Sequence, residues 1–153
     1  MVRGGAEMIR RYTIRNLHPA LPNGPIGKWQ EVIWNLIETR ADRTGAMIHV
    51  ALEEVDRGPV VTYSSVSLRG GQFEPEWIQA TQLTVEQLKE QYGETLPLFR
   101  HIREEEYKLE PHLVTETIKA IASGDIVIQH HKVIDRRGNP TSGVCLDSFI
   151  SPI

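Results

Sequence analysis

The chain has 153 residues, a formal net charge of −3, 40% apolar and 24% charged residues, the make-up of one ordinary water-soluble globular domain. That balance leaves no basic face for nucleic acid, and no apolar run approaches the about 18 residues that a membrane span needs. One cysteine, Cys145, excludes an intrachain disulfide and a Cys-rich zinc site. It suits the reducing cytoplasm, as does an N-terminus, Met1 to Glu7, without an apolar signal region.

In chain order, Glu7 to Tyr12 has room for one helical turn. Thr13 to His18 reads as a strand that Pro19 stops, because proline has no N–H for a sheet ladder. Leu21 to Gly27 is a Pro/Gly-rich loop. Lys28 to Arg40 is the clearest helix: Trp29, Val32, Ile33, Leu36 and Ile37 make one apolar stripe, opposite Glu31, Asn35 and Glu38. Trp29 and Trp34 read as core and rim. Ala46 to Leu52 alternates, with Ile48, Val50 and Leu52 on one face and Met47, His49 and Ala51 on the other. Pro59 to Leu68 is a second strand, expected to pair antiparallel with it across a turn at Glu53 to Gly58.

Beyond that pair, Arg69 to Thr81 contains Gly70, Gly71 and Pro75 and reads as irregular. Thr84, with Gln87 three residues on, is a capping box for a short helix. Thr95 caps a longer helix that opens at Leu96 or Pro97, is kinked or divided at Pro111 and ends at Gly124. Glu104, Glu105 and Glu106 read as its solvated face. Ile126 to Ile134 then reads as a strand, Arg137 to Pro140 as a turn, and Ser142 to Leu146 as a return strand carrying Cys145 as inert packing. These elements predict an α/β fold: a mixed sheet with flanking helices and a C-terminal hairpin.

Asn16 and His18 stand two apart, so on a regular strand they share a face. Ligands of open α/β sheets sit outside the carboxyl ends of strands, where this pair would lie. Asp56 follows in the turn Asp56-Arg57-Gly58-Pro59. An amide, an imidazole and a carboxylate converging there suit an acyl-transfer transition state. Each also has a bland reading: a strand end or Asx turn for Asn16 and His18, ordinary turn composition for Asp56, a satisfied pocket-wall or core histidine for His49. His130 and His131, adjacent on a strand, would face opposite sides and could not serve one ion, so no metal is expected.

Taken together, Asn16/His18/Pro19/Ala20/Leu21/Pro22, Gly45/Ala46/His49/Val50 and Asp56/Gly58/Pro59 resemble the folate-dependent formyltransferases, most closely the phosphoribosylglycinamide formyltransferase family. The likeness runs from about Arg10 onward and continues more loosely through Arg103 to Glu106 and Pro111. It departs from the family at the single Leu21 before Pro22, at the loop Asn23 to Gly27, and in having no nucleotide-binding first half or phosphate loop before Asn16. The resemblance implies the C-terminal part of a formyltransferase-type Rossmann-like fold, residues 1–153 forming one incomplete domain.

It also implies formyl transfer from 10-formyltetrahydrofolate, as co-substrate, to the amine of glycinamide ribonucleotide in purine biosynthesis. The Asn16 amide and a protonated His18 are then the oxyanion donors. Asp56 favours the imidazolium, orients it and holds a proton-relaying water. Glu53, Glu54, Val55, Asp56 and Gly58 would wrap the folate pterin, and His49 would support the pocket. Two alternatives stay open: a folate-binding fragment, inactive or dependent on a partner, and a related formyltransferase or deformylase with another acceptor. A sheet cut beside Thr13 to His18 would leave an open edge, which predicts self-association.

Overall fold

In a computed structural model, described over residues 14–50 and 58–150 with side chains from Leu17 onward, four strands form one mixed sheet. They are β1 (Ile14–His18), β2 (Arg43–Val50), β3 (Val60–Ser67) and β6 (Val144–Cys145), in the order β1-β2-β3-β6. β1, β2 and β3 run antiparallel to their neighbours, and β6 joins β3 in parallel. The expected helical turn at Glu7 to Tyr12 and the turn residues Glu53 to Arg57 lie outside the described residues.

The helix α1 (Trp29–Glu38) buries Val32, Ile33, Leu36 and Ile37, the apolar stripe of the sequence. It opens where the Lys28 N–H donates to Glu31 Oε2 at 3.0 Å. Gly27, just before Lys28, takes φ 125°, a backbone conformation that favours glycine. It closes with Ala41 N bonded to Leu36 O and Arg40 N to Ile37 O, a Schellman pattern in which Arg40 takes the left-handed φ of 51° usually given to glycine.

Contrary to the irregular reading of Arg69 to Thr81, Phe73–Ala80 is a helix, α2. Pro75 sits in its first turn, where no intrahelical bond needs its missing N–H. Phe73, Trp77 and Ala80 form its buried stripe. Trp77 donates from Nε1 to Leu68 O at 2.6 Å and carries the Arg69 guanidinium 4.4 Å above its ring. The next helix, α3 (Val85–Gln91), has the expected box: Thr84 N donates to Gln87 Oε1 and Gln87 N to Thr84 Oγ1. Thr95, expected as the cap of the following helix, belongs instead to a 3-10 turn, Gly93–Thr95; Leu96 is the N-cap and Pro97 the first helical residue.

That helix, α4 (Pro97–Ser123), runs unbroken through Pro111. Pro111 lies on the exposed side of the helix, as does Tyr107, whose carbonyl loses its helical partner to the proline and is 56% exposed as a residue. Gly124 ends the helix at φ 80° as expected. Two strands follow where one was expected: β4 (Ile126–Gln129) and β5 (Lys132–Asp135) form the C-terminal hairpin. His130 and His131, both at positive φ, make its two-residue turn. The segment expected to return onto that hairpin pairs with β3 instead, as β6.

Two cores flank the sheet. Met47 faces one, with α1, α2, α3 and the first turns of α4; Ala46, Ile48 and Val50 face the other, with Leu109 and Leu113 of α4 and the hairpin residues Ile126 and Val133. After β6, Asp147 ties the chain end to β3: it accepts from Ser64 Oγ, Ser65 N and Ser65 Oγ, each at 2.7 Å. Burial by itself would raise its pKa, but these hydrogen bonds outweigh burial and hold the carboxyl below the usual aspartate value. A carboxylate depressed in the folded state stabilises the fold above its unfolded pKa and loses that contribution as pH falls through the folded value. Asp147→Asn is therefore expected to lower the unfolding free energy at pH 7 by about 1 kcal/mol or less, since solvent screens this exposed carboxylate, and to differ less from the parent near pH 3, measured by urea titration at both pH values.

Candidate active site

β1 ends at His18, whose Cα pairs with Met47 of β2. Pro19 follows, and the chain turns at once, with Ala20 N bonded to His18 O at 2.9 Å. The loop that leaves His18 lies down on β2 because Gly45 carries no side chain: a Cβ there would strike Leu21 and the Ser64 carbonyl. Thus Leu21 and Gly45, far apart in sequence, jointly set how the chain departs from His18.

The imidazole of His18 has its centroid 6.4 Å from that of His49, with the ring planes at 53°. His49 is only 9% exposed, and its Nδ1 lies 3.0 Å from the Gly58 carbonyl oxygen. The adjoining Val50 N donates to Pro59 O at 2.8 Å. Gly58 is buried so closely against the Val50 carbonyl that no Cβ fits. The two ends of the β2–β3 connection are therefore pinned together beside the paired imidazoles.

Of the residues singled out in the sequence, His18, His49 and Gly58 are brought into this one neighbourhood. Asn16 lies within β1, where the pairing shifts register between Ile14 and Leu17; its side chain is outside the described residues, as are Glu53, Glu54, Val55 and Asp56. Among the described residues no three His, Cys, Asp or Glu side chains are grouped to hold a metal ion. Cys145 is exposed on β6 rather than packed in a late hairpin. The surface groove of about 390 Å³ beside Glu76, Arg100 and His101 contains none of the expected site residues.

The sequence reading missed a second polar centre. Glu106, expected on a solvated face, has no exposed surface. It accepts from Thr44 Oγ1 of β2 at 3.2 Å and from Arg103 Nη1 at 3.4 Å. Arg103 is stacked 4.4 Å from the Trp29 ring and 3.9 Å from that of Tyr107, and its Nε is buried without a hydrogen-bond partner among the described residues. Burial pushes the Glu106 carboxyl up to about 8, against the opposing pull of Arg103 and Thr44. The one sequence signal was phase: Glu106 falls in register with Ile102, Leu109 and Leu113, all buried on α4.

An acid whose folded pKa lies above its unfolded one binds more protons when folded, so its contribution to stability declines between about pH 4.5 and 8. Glu106→Gln is expected to gain on the parent by roughly 1–3 kcal/mol on going from pH 5 to pH 9, read from denaturant midpoints. A difference that does not change with pH would contradict the assignment.

The fold itself has known counterparts. It is similar to the solved structure of phosphoribosylglycinamide formyltransferase from Coxiella burnetii, with a TM-score of 0.56 and 18% identity, over 91% of this chain and 54% of that one. It is also similar to formyltetrahydrofolate deformylase from Pseudomonas syringae pv. tomato, with a TM-score of 0.50 and 16% identity, over 84% of this chain and 35% of that one. No family model matches the chain, and no curated protein sequence does. This chain therefore spans about half the length of the first structure and about a third of the second. With β1 ending in His18 beside β2, and α4 lying against the sheet, the chain has a formyltransferase-type α/β fold.

Proposed function

We propose that the chain is the folate-binding, catalytic part of a formyltransferase that moves the formyl group of 10-formyltetrahydrofolate onto glycinamide ribonucleotide, a step of purine biosynthesis in the cytoplasm. The observation that carries this reading is the meeting of His18, His49 and the Gly58 turn in a fold of this type. The acceptor amine attacks the formyl carbon, and the carbonyl oxygen becomes a tetrahedral oxyanion. His18 and the Asn16 amide donate to that oxyanion. The bond from carbon to N10 then breaks; the amine loses a proton through a water held by Asp56, and N10 gains one. Glu53, Glu54, Val55, Asp56 and Gly58 line the pterin side through the backbone groups of the turn.

A second reading keeps folate binding without turnover by this chain alone: a folate-binding module that needs a partner. Incubation with 10-formyltetrahydrofolate, with and without glycinamide ribonucleotide, separates the cases by the absorbance of the released folate. Amine-dependent turnover is expected, and His18→Ala should lower kcat by about 10²–10³. Turnover without amine would mean deformylase chemistry; binding without turnover would mean the module; absence of folate binding would refute both.

β1 forms an edge of the described sheet, and Leu17 on it is 37% exposed. An open edge strand invites pairing with another strand. We expect the chain to self-associate, seen as concentration-dependent sedimentation; one compact monomer at all concentrations would contradict this.

A further inference from the structure

We propose that the outer face of α4 pairs with the same face of a second copy of this chain, the two helices antiparallel, so that Tyr107 meets Ile118 of the partner subunit and Pro111 meets Val114 of the partner subunit. This surface lies apart from the candidate active site, and the proposal stands whether or not the formyl-transfer reading does. α4 spends one stripe on its own fold: Ile102, Glu106, Leu109, Leu113 and Thr117 are buried. A second stripe points outward. Tyr107 is 56% exposed, Val114 37% and Ile118 60%, and Pro111 between them is exposed too. Their spacings of four, three and four residues are those of a coiled-coil seam, here about 16 Å long. A helix that only covers its own domain needs a single apolar stripe, with polar residues on the opposite face.

Charge selects the occupant and its direction. Glu104 and Lys108 flank the seam near one end and Lys119 near the other, all three exposed. A parallel pairing would set each beside its own copy, like against like. The antiparallel pairing that brings Tyr107 to Ile118 places Glu104 within one turn of Lys119 of the partner subunit, and the two-fold axis repeats that ion pair. Lys119 already reaches Glu116 at 3.2 Å, and its ammonium has donors left for a second carboxylate. Tyr107 is set before pairing: the Arg103 guanidinium lies 3.9 Å from its ring and 4.4 Å from that of Trp29, so little side-chain freedom remains to be lost. A seam this short belongs with the small interfaces, below about 1,200 Å², and the dimer is expected to dissociate at about 10–100 µM.

Sedimentation equilibrium of the full chain, from about 10 µM to 1 mM, reads the monomer–dimer constant. Ile118→Glu puts a carboxylate into the seam and is expected to weaken the dimer by about tenfold or more. Two charge variants test the register without touching an apolar residue, so they serve even where Ile118→Glu disturbs the fold. Glu104→Lys and Lys119→Glu should each weaken the dimer by about 3- to 10-fold, and the double variant should return to within about threefold of the parent. Leu17→Lys, on the β1 edge, separates this seam from strand pairing: the α4 variants should have the same effects in its background. A parent that stays monomeric to the highest concentration would overturn the proposal and leave the face to a different polypeptide. Association that Ile118→Glu does not weaken, or that Leu17→Lys abolishes, would overturn it in favour of the strand edge. Loss in both single charge variants without recovery in the double would overturn the antiparallel register.

Discussion

Every residue of β2 from Thr44 to Val50 is buried, on both faces of the strand. A strand with a core on each side cannot slip by one residue, because the slip would send Met47 into the packing of Ala46 and Ile48 and the reverse. β1, β3 and, through β3, β6 all take their register from it. The position of His18 is thus a consequence of Met47 being locked opposite it, and that of Gly58 a consequence of Val50. The site is precise because the strand beneath it has no free side.

Elements that one helix or strand period defines were legible in the sequence. The stripe of α1, the Thr84–Gln87 box and Gly124 at φ 80° depend on neighbours within a few residues, and the β2–β3 pair joins strands adjacent in sequence. Misreadings arose where the deciding contact is remote or the turn residues are unusual. Pro75 looks like a breaker until its place in a first turn is known. His130 and His131 adopt the positive φ that Asn-Gly would advertise, so the β4–β5 hairpin carries no turn signal. β6 is two residues long, and its partner on β3 lies some eighty residues earlier, tied by the contacts of Asp147.

The candidate site divides in the same way. His18 and Gly58 stood out because a proline follows each and because short motifs surround them. Glu106 did not, since three consecutive glutamates look alike until one turns toward Thr44, 62 residues away in sequence. Its burial is a tertiary fact: the helix phase nominates it, but only the strand opposite confirms it. The same holds for Arg103, whose place between Trp29 and Tyr107 depends on α1 and α4 meeting.

Glu106 also belongs to a pattern that explains how α4 finds its seat. The sheet face toward α4 buries two hydroxyls, Thr44 and Thr62, that each have a polar partner on that helix: Glu106 and Thr117 respectively. Apolar contacts from Leu109 and Leu113 would tolerate a slide of α4 by one helical turn at modest cost, since leucines and alanines pack nearly as well in the next groove. Such a slide would strand buried hydroxyls and a carboxyl without partners, at about 1–3 kcal/mol for each group. The polar row therefore selects one axial position for α4 out of several that the hydrophobic effect would accept. Burying an acid as unfavourable as Glu106 is consistent with that selection, because a group whose alternatives are all worse discriminates more sharply than one that is merely comfortable where it sits.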